Sequence, residues 1–407
     1  MLSFGPAFCW RVKGKSVEVD ADNLRSAPAL ENRVGDVMIK RIYIHNFRCL
    51  ENFELPVSGM ASSLLIGRSG AGKSTVGFAL QVLQSIARGT NRVGQLVKTG
   101  DFARGRSDVP IRFEIEVLID NRSYEYSLGL ELPAGFKEIR VAEERLSCDG
   151  IDVYSRQQSQ VVLPKTFVAG EAKFLVDWHL IALPLIQEQS ATDPLRVFKS
   201  WLARMLILAP LPSAITGDSE GDSLMPNREV TNFGAWFAGL LAHSPSAYTR
   251  VDRFIKQVMD DFEDIKNPNT GKESRSLQVQ FQQGPATLSL PFAALSDGEK
   301  CLFICALVLA SNATYGPLLC FWDEPDNYLS LSEVGHFVME LRRAFESKGG
   351  QLLVTSHNPE AIRQFSDENT LLLFRKNHVE PTQVRRIADV KVNGDLVDAL
   401  IRNDVEP

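Results

Sequence analysis

The chain has 407 residues and a mass of 45.2 kDa, a length that predicts two to three domains and buries a sizeable core without difficulty. Apolar residues make up 44 %, charged residues 23 %, and there are 28 glycines and 20 prolines, ordinary globular values that exclude disordered, collagen-like and mucin-like chains. A formal charge of −6 supplies no bulk positive field, so contact with nucleic acid or a membrane surface would need a local patch.

No run approaches the roughly 18 to 20 apolar residues of a membrane-spanning helix; the most apolar, such as Leu318 to Trp322, are strand-sized. The first residues lack a basic region followed by an apolar segment and a cleavage site, so secretion is not expected. Cys9, Cys49, Cys148, Cys301, Cys305 and Cys320 form no CxxC pair, which suits reduced thiols and a cytoplasmic protein. Cys301 and Cys305 stand one helical turn apart in an apolar run and read as small core residues rather than a metal or redox pair.

In chain order, residues 1–37 are weakly periodic and read as an N-terminal extension, and Met38 opens a regular pattern. IKRIYIHNFRCLENFEL alternates as a strand pair does, SSLLIG is a short buried strand, and Lys73 to about Ala87 reads as a helix. IRFEIEVLID and SYEYSLGLEL, around Asn121 and Arg122, predict an antiparallel hairpin. The middle section changes to helical patterns at 193–208, 231–242 and 246–264, interrupted by the loop-like PLPSAITGDSEGDSLMPN. No heptad persists there, which excludes a long coiled-coil arm.

Two short strands, SLQVQF and ATLSLPF, then lead into a C-terminal third of alternating elements: helix 297–314, strand LLCFW, helix 331–347, strand QLLVTS, helix 359–365, strand TLLLF. That alternation predicts a parallel α/β core. The expected domains are the extension 1–37, an N-lobe 38–165, a helical insertion or lid 166–290, a C-lobe 291–383 and a tail 384–407.

Gly67-Arg68-Ser69-Gly70-Ala71-Gly72-Lys73-Ser74, continued by Thr75, satisfies G-x-x-x-x-G-K-[ST] between a predicted strand and a predicted helix. Its glycines let backbone N–H groups turn towards phosphates, Lys73 bridges phosphate oxygens and Ser74 ligates Mg²⁺. LLCFW ends in Asp323-Glu324-Pro325, two carboxylates at the carboxyl edge of a buried strand, where open α/β sheets bind ligands. Asp323 suits Mg²⁺ held through water, and Glu324 suits orienting or deprotonating an attacking water. His357 follows the next buried strand in the same position. Ser296-Asp297-Gly298-Glu299 opens an apolar helix, with Ser296 as its cap and Gly298 permitting close backbone approach.

Phosphate loop, LSDGEK, CFWDEP, DNYLS and TSH follow in order, with 25 residues from Gly298 to Asp323 and 33 from Glu324 to His357. The set resembles the Walker A, signature, Walker B, D-loop and switch histidine of ABC-type ATPases. The resemblance implies an α/β ATPase head with a mixed sheet core, an antiparallel β subdomain and a helical insertion. It further implies ATP and Mg²⁺ as cofactors and a homodimer or higher oligomer, in which one chain's Ser296 to Glu299 cap the nucleotide held by another's phosphate loop.

More narrowly, the opening segment and the helical insertion resemble OLD-like, SMC-related ATPases of bacterial anti-phage systems of the PARIS or Septu type, and less closely RecF, over Met38 to roughly Phe374. By that analogy Asn46 and Arg48 line the nucleotide pocket. The D-loop Asp326-Asn327-Tyr328-Leu329-Ser330 lacks the Gly-Leu-His-Pro of many relatives, and the Q-loop glutamine is open among Gln95, Gln157, Gln158 and Gln160.

No second catalytic motif is present; His336 and Glu340, at helical spacing, read as a solvated helix face. About 33 residues follow the core, too few for an effector domain, so a separately encoded effector of nuclease or TOPRIM type is the expected partner. A cluster of Arg88, Arg92, Lys98, Arg104 and Arg106 is a candidate DNA-contacting patch, with a solvated loop as its ordinary reading. The favoured function is thus a sensing or regulatory ATPase of a defence system; the alternative is a RecF- or SMC-like repair ATPase that binds DNA directly. A transporter's nucleotide-binding subunit fits least, because 225 residues separate Lys73 from Gly298.

Overall fold

A computed structural model describes residues 37–164, 172–390 and 396–402. The N-terminal extension, apart from Val37, lies outside them, as does Cys9.

Five parallel strands form the centre, in the spatial order Leu206–Leu208, Leu319–Asp323, Gln351–Thr355, Ser62–Ile66 and Thr370–Phe374, closed by the antiparallel Gln383–Arg386. The strands Ser62–Ile66 and Gln351–Thr355 are buried at every residue, which is why they read as unbroken apolar runs rather than alternating ones. Alternate residues nevertheless serve two cores. Leu65, Phe321, Leu353 and Leu371 face one, shared with the helix Lys73–Ala87 and the outer sheet. Leu64, Trp322, Val354 and Leu372 face the other, shared with the helices Asp297–Tyr315 and Leu331–Lys348.

The outer sheet is antiparallel and eight-stranded, running in space from Phe53–Leu55 through Val37–His45, Ile111–Ile119, Arg122–Glu131, Arg140–Cys148, Ile151–Gln157 and Gln160–Leu163 to Ala172–Leu175. Ile111–Ile119 alternates buried and half-buried residues along its whole length, as a sheet covered on one face requires. The hairpin expected there forms, its turn at Asp120 and Asn121 having positive φ at both residues, the combination that matches strand twist in a two-residue loop.

The middle section differs from its expected helices. The helix begun at Pro194 stops at Ala203, and Leu206–Leu208 is a strand on the edge of the central sheet, paired parallel with Cys320–Trp322. The helix expected over 246–264 ends at Val258, and Phe262–Lys266 joins Gln278–Gln283 and Ala286–Pro291 in a three-stranded antiparallel sheet. Tertiary pairing overrides helical propensity in both places. His336 is half-buried, with Nε2 lacking a partner, and Glu340, also half-buried, pairs with the exposed Arg343 at 2.9 Å. Among the described residues no group of acidic, His or Cys side chains could hold a metal by itself, and no helix is long and apolar enough to cross a membrane.

Candidate nucleotide site

The loop 67–72 links the carboxyl end of Ser62–Ile66 to the helix Lys73–Ala87. Gly72, the helix N-cap, has φ 104°, and a Cβ there would lie 2.7 Å from Thr382 Oγ1; only glycine takes this conformation without strain. Thr382 Oγ1 donates to Ala71 O at 2.8 Å and Cys49 Sγ lies 3.5 Å from Thr75 Oγ1, so the loop is braced from two directions. No side chain caps the helix and its first turn holds no acidic residue, which leaves its first N–H groups and positive dipole end for an anion.

Lys73 is buried, and its ammonium donates to Gly67 O at 2.9 Å and meets His357 Nε2 at 2.7 Å. An ammonium can only donate, so Nε2 accepts and the ring proton sits on Nδ1. Burial lowers the Lys73 pKa, against the opposing charges of Glu324 and Asp323. Burial, then the Lys73 charge, lowers that of His357 below 6.5, so the imidazole is neutral at pH 7.

Asp323 and Glu324 end the neighbouring strand but one. Thr355, opposite Asp323 in the parallel register, donates from Oγ1 to Asp323 Oδ1 at 2.7 Å and accepts the Glu324 N–H at 2.9 Å. Glu324 has φ 49°, a left-handed conformation uncommon outside glycine and concentrated at functional sites. Its carboxylate stands 3.5 Å from His357 Nε2 and accepts from Asn327 Nδ2 at 2.7 Å. Asp326 Oδ2 accepts from Ser356 at 2.9 Å.

Ser296 caps the helix Asp297–Tyr315 through a reciprocal box with Glu299. Gly298 abuts the D-loop, where a Cβ would fall 2.8 Å from Tyr328 O. Ser69, Gly70 and Arg68 are exposed, and Ser74 and Thr75 are half-buried. Arg48 stacks on Phe78 of the phosphate-loop helix, 4.1 Å from the ring centre, and pairs with Asp101 at 2.8 Å. Asn46 is buried and spends its amide on Arg106 O and Val109 O, at 2.9 and 2.6 Å, bracing a loop rather than facing the phosphate loop.

The candidate DNA patch is divided. Arg88 remains exposed as a residue, but its guanidinium binds Ala203 O, Met205 O and Pro226 O, and burial pushes its pKa down to about 10. Arg104 and Arg106 share Glu51, at 2.5 and 3.4 Å. Arg92 and Lys98 are exposed.

Of the Q-loop candidates, Gln157, Gln158 and Gln160 lie at a hairpin of the outer sheet and Gln95 in the short helix Val93–Leu96. The side chain that reaches Asp323 from the middle section is Arg228, Nη2 to Oδ2 3.5 Å. No local motif marked Arg228 or Thr382. Thr355 was available from the parallel alignment of QLLVT beside LCFWD.

A phosphate loop and paired carboxylates on parallel strands, beside an antiparallel sheet, define an ATPase head of the ABC type. Residues 62–363 match the family described as "AAA domain, putative AbiEii toxin, Type IV TA system", and the chain belongs to that family. No curated protein matches it. Among solved structures it is similar to an SMC head bound to the C-terminal winged-helix domain of ScpA, with 14 % identity, 86 % of this chain and 99 % of that one covered, and a TM-score of 0.52. It also matches the SMC head from Thermotoga maritima, at 13 % identity, 86 % and 98 % coverage and TM-score 0.43. A Pyrococcus furiosus Smc head with an extended coiled coil, bound to the C-terminal domain of ScpA, matches at 13 % identity, 86 % and 97 % coverage and TM-score 0.47. The first of these shows the SMC-head-like fold.

The donor set fits a nucleotide and a divalent cation. A buried ammonium and an uncapped helix N-terminus suit phosphates, while Ser74 and Asp323 are oxygen ligands of the kind Mg²⁺ takes.

Proposed function

We propose that this chain hydrolyses ATP between two copies arranged head to tail, and acts in the cytoplasm as the sensing or regulatory subunit of an anti-phage defence system that controls a separate nuclease- or TOPRIM-type effector. The observation that carries the ATPase reading is the convergence of Lys73, His357 and Glu324, from segments up to 284 residues apart, with Lys73 Nζ 2.7 Å and Glu324 Oε1 3.5 Å from His357 Nε2. Loop 67–72 and the N–H groups of Lys73 and Ser74 hold phosphate oxygens, with Lys73 bridging them. Asp323 and Ser74 hold the cation, whose chemistry is to neutralise phosphate charge. Glu324 orients and deprotonates the attacking water; neutral His357 accepts from Lys73 and stands beside the Glu324 carboxylate.

Each chain carries one phosphate loop and one signature helix, so complete sites require two chains, and ATP binding closes the dimer while hydrolysis reopens it. Glu324→Gln should therefore trap an ATP-bound dimer on sizing chromatography, and Lys73→Ala should lose nucleotide binding; a monomeric Glu324→Gln protein in saturating ATP would sink the dimer reading.

The family description, which names an AbiEii toxin and a type IV TA system, supports a separately encoded partner, and co-purification with the product of the adjacent reading frame is the direct assay. The DNA-clamping alternative draws on a patch in which Arg88 is bound to carbonyls and Arg104 and Arg106 to Glu51. Salt-dependent DNA binding lost on charge reversal of Arg92 and Lys98 would restore it.

A further inference from the structure

Arg228 lies on no strand or helix of the ATPase centre, yet its guanidinium sits 3.5 Å from Asp323 Oδ2, with both side chains nearly buried, at 13 and 10 % exposure. The other carboxylate oxygen accepts from Thr355, so both oxygens are engaged. The guanidinium also packs on Phe78, 4.4 Å from the ring centre, and approaches Glu229 at 3.7 Å.

The segment presenting it is braced. Asn227 N–H donates to Asn232 Oδ1, Thr231 N–H to Asn227 Oδ1, and Asn227 Nδ2 to Thr231 Oγ1, at 2.8, 2.9 and 2.7 Å. Arg228 O accepts from Ala209 N–H, directly after the edge strand, and Pro226 O accepts from Arg88. Within this loop the buried Val230 has φ 58°, a conformation that a β-branched residue adopts only when its surroundings impose it.

Arginine cannot give up its proton in a protein, and a second cation at the same carboxylate oxygen would be repelled at close range. We infer that Arg228 is a positioning residue that competes with the divalent cation for Asp323, so that metal–nucleotide loading expels the guanidinium and loosens the loop 226–232, coupling the middle section to the state of the site. This rests on the nucleotide-binding reading above.

The test is a Mg²⁺ titration of fluorescent-ADP binding to the wild-type chain and to Arg228→Gln, each normalised to its own affinity in EDTA. Arg228→Gln should reach half-maximal response at about three- to tenfold lower Mg²⁺, the scale of a partly buried ion pair. An equal or higher requirement overturns the inference. On the wild-type chain alone, the amides of Ala209 and Thr231 should exchange hydrogen faster with ADP and Mg²⁺ than with ADP in EDTA; unchanged exchange also overturns it. A wild-type chain that binds no nucleotide in either condition would defeat the ATPase reading and this inference together, whereas normal binding with an unshifted midpoint defeats this inference alone.

Discussion

Asp326 follows the two carboxylates of the nucleotide site and is itself nearly buried, with Ser356 on one oxygen and no partner for the other. Burial raises its pKa above 3.8 against the Ser356 hydrogen bond, and the charge of Glu324 adds to the rise. A carboxyl raised in the folded state binds protons there more tightly than in the unfolded chain, so stability falls as pH rises through 3.8 to the folded value and stays lowered above it. Asp326→Asn removes that penalty. It should raise Tm by ~1–3 °C at neutral pH, with the gain shrinking as pH is lowered towards 4, read by thermal melts across pH; a lower Tm at neutral pH would contradict the sign. The cysteines give a second check at this scale. Burial pushes the Cys301 thiol up to about 12 and those of Cys305 and Cys320 upward as well, and Cys148 is buried, whereas Cys49 is half-exposed. Thiolates are the reactive species, so peptide mapping after iodoacetamide treatment of the native chain should find label at Cys49 and none at the other four.

Glu144 joins an element of the outer sheet to the segment that leaves it. Fully buried, it accepts from Tyr126 and Tyr154 hydroxyls at 3.1 and 2.7 Å and from the N–H groups of Ala182 and Leu183 at 2.7 and 2.9 Å, with Arg156 at 3.7 Å. Arg156 in turn binds the carbonyls of Gln158, Asp177 and Leu180. Removing one member strands the others: Glu144→Ala should cost about 3–5 kcal/mol, measured by urea denaturation, and Glu144→Gln less. A loss under about 1 kcal/mol would mean that the segment is held mainly by its apolar contacts. None of this was legible in the sequence, where Glu144 is one of two adjacent glutamates in VAEERLSC. The hairpin of Ile111 to Glu131 was legible, because period-two alternation is a local signal. The strand Leu206–Leu208 was hidden for the opposite reason: LARMLIL continues an apolar helical pattern, and only pairing with Cys320–Trp322, more than a hundred residues away, makes it a strand.

Across the whole molecule, the phosphate loop, Asp323, Glu324 and His357 were recognisable because each stands at a strand end whose apolar run announces it, and the parallel sheet brings those ends side by side. Arg228 was not, since its place depends on a braced loop with no periodic pattern. The signature helix packs in the core opposite that of the phosphate-loop helix, and Ser296, at its start, is exposed. This arrangement makes the head-to-tail proposal testable by mixing. Lys73→Ala disables a phosphate loop and leaves the signature intact; Ser296→Arg does the reverse, at an exposed cap worth about 1 kcal/mol, so the chain should still fold. Alone, each variant should be inactive. In a mixed dimer one site combines both defects and the other neither. Each mixed dimer keeps one working site of two, so an equal mixture should regain about a quarter (random pairing) to a half (ATP closing only the mixed pairs) of wild-type ATPase activity, following the two-fold symmetry of such an interface. If each chain instead hydrolyses ATP using only its own residues, mixing will restore nothing, and a coupled-enzyme ATPase assay on the two variants, separate and combined, distinguishes these outcomes.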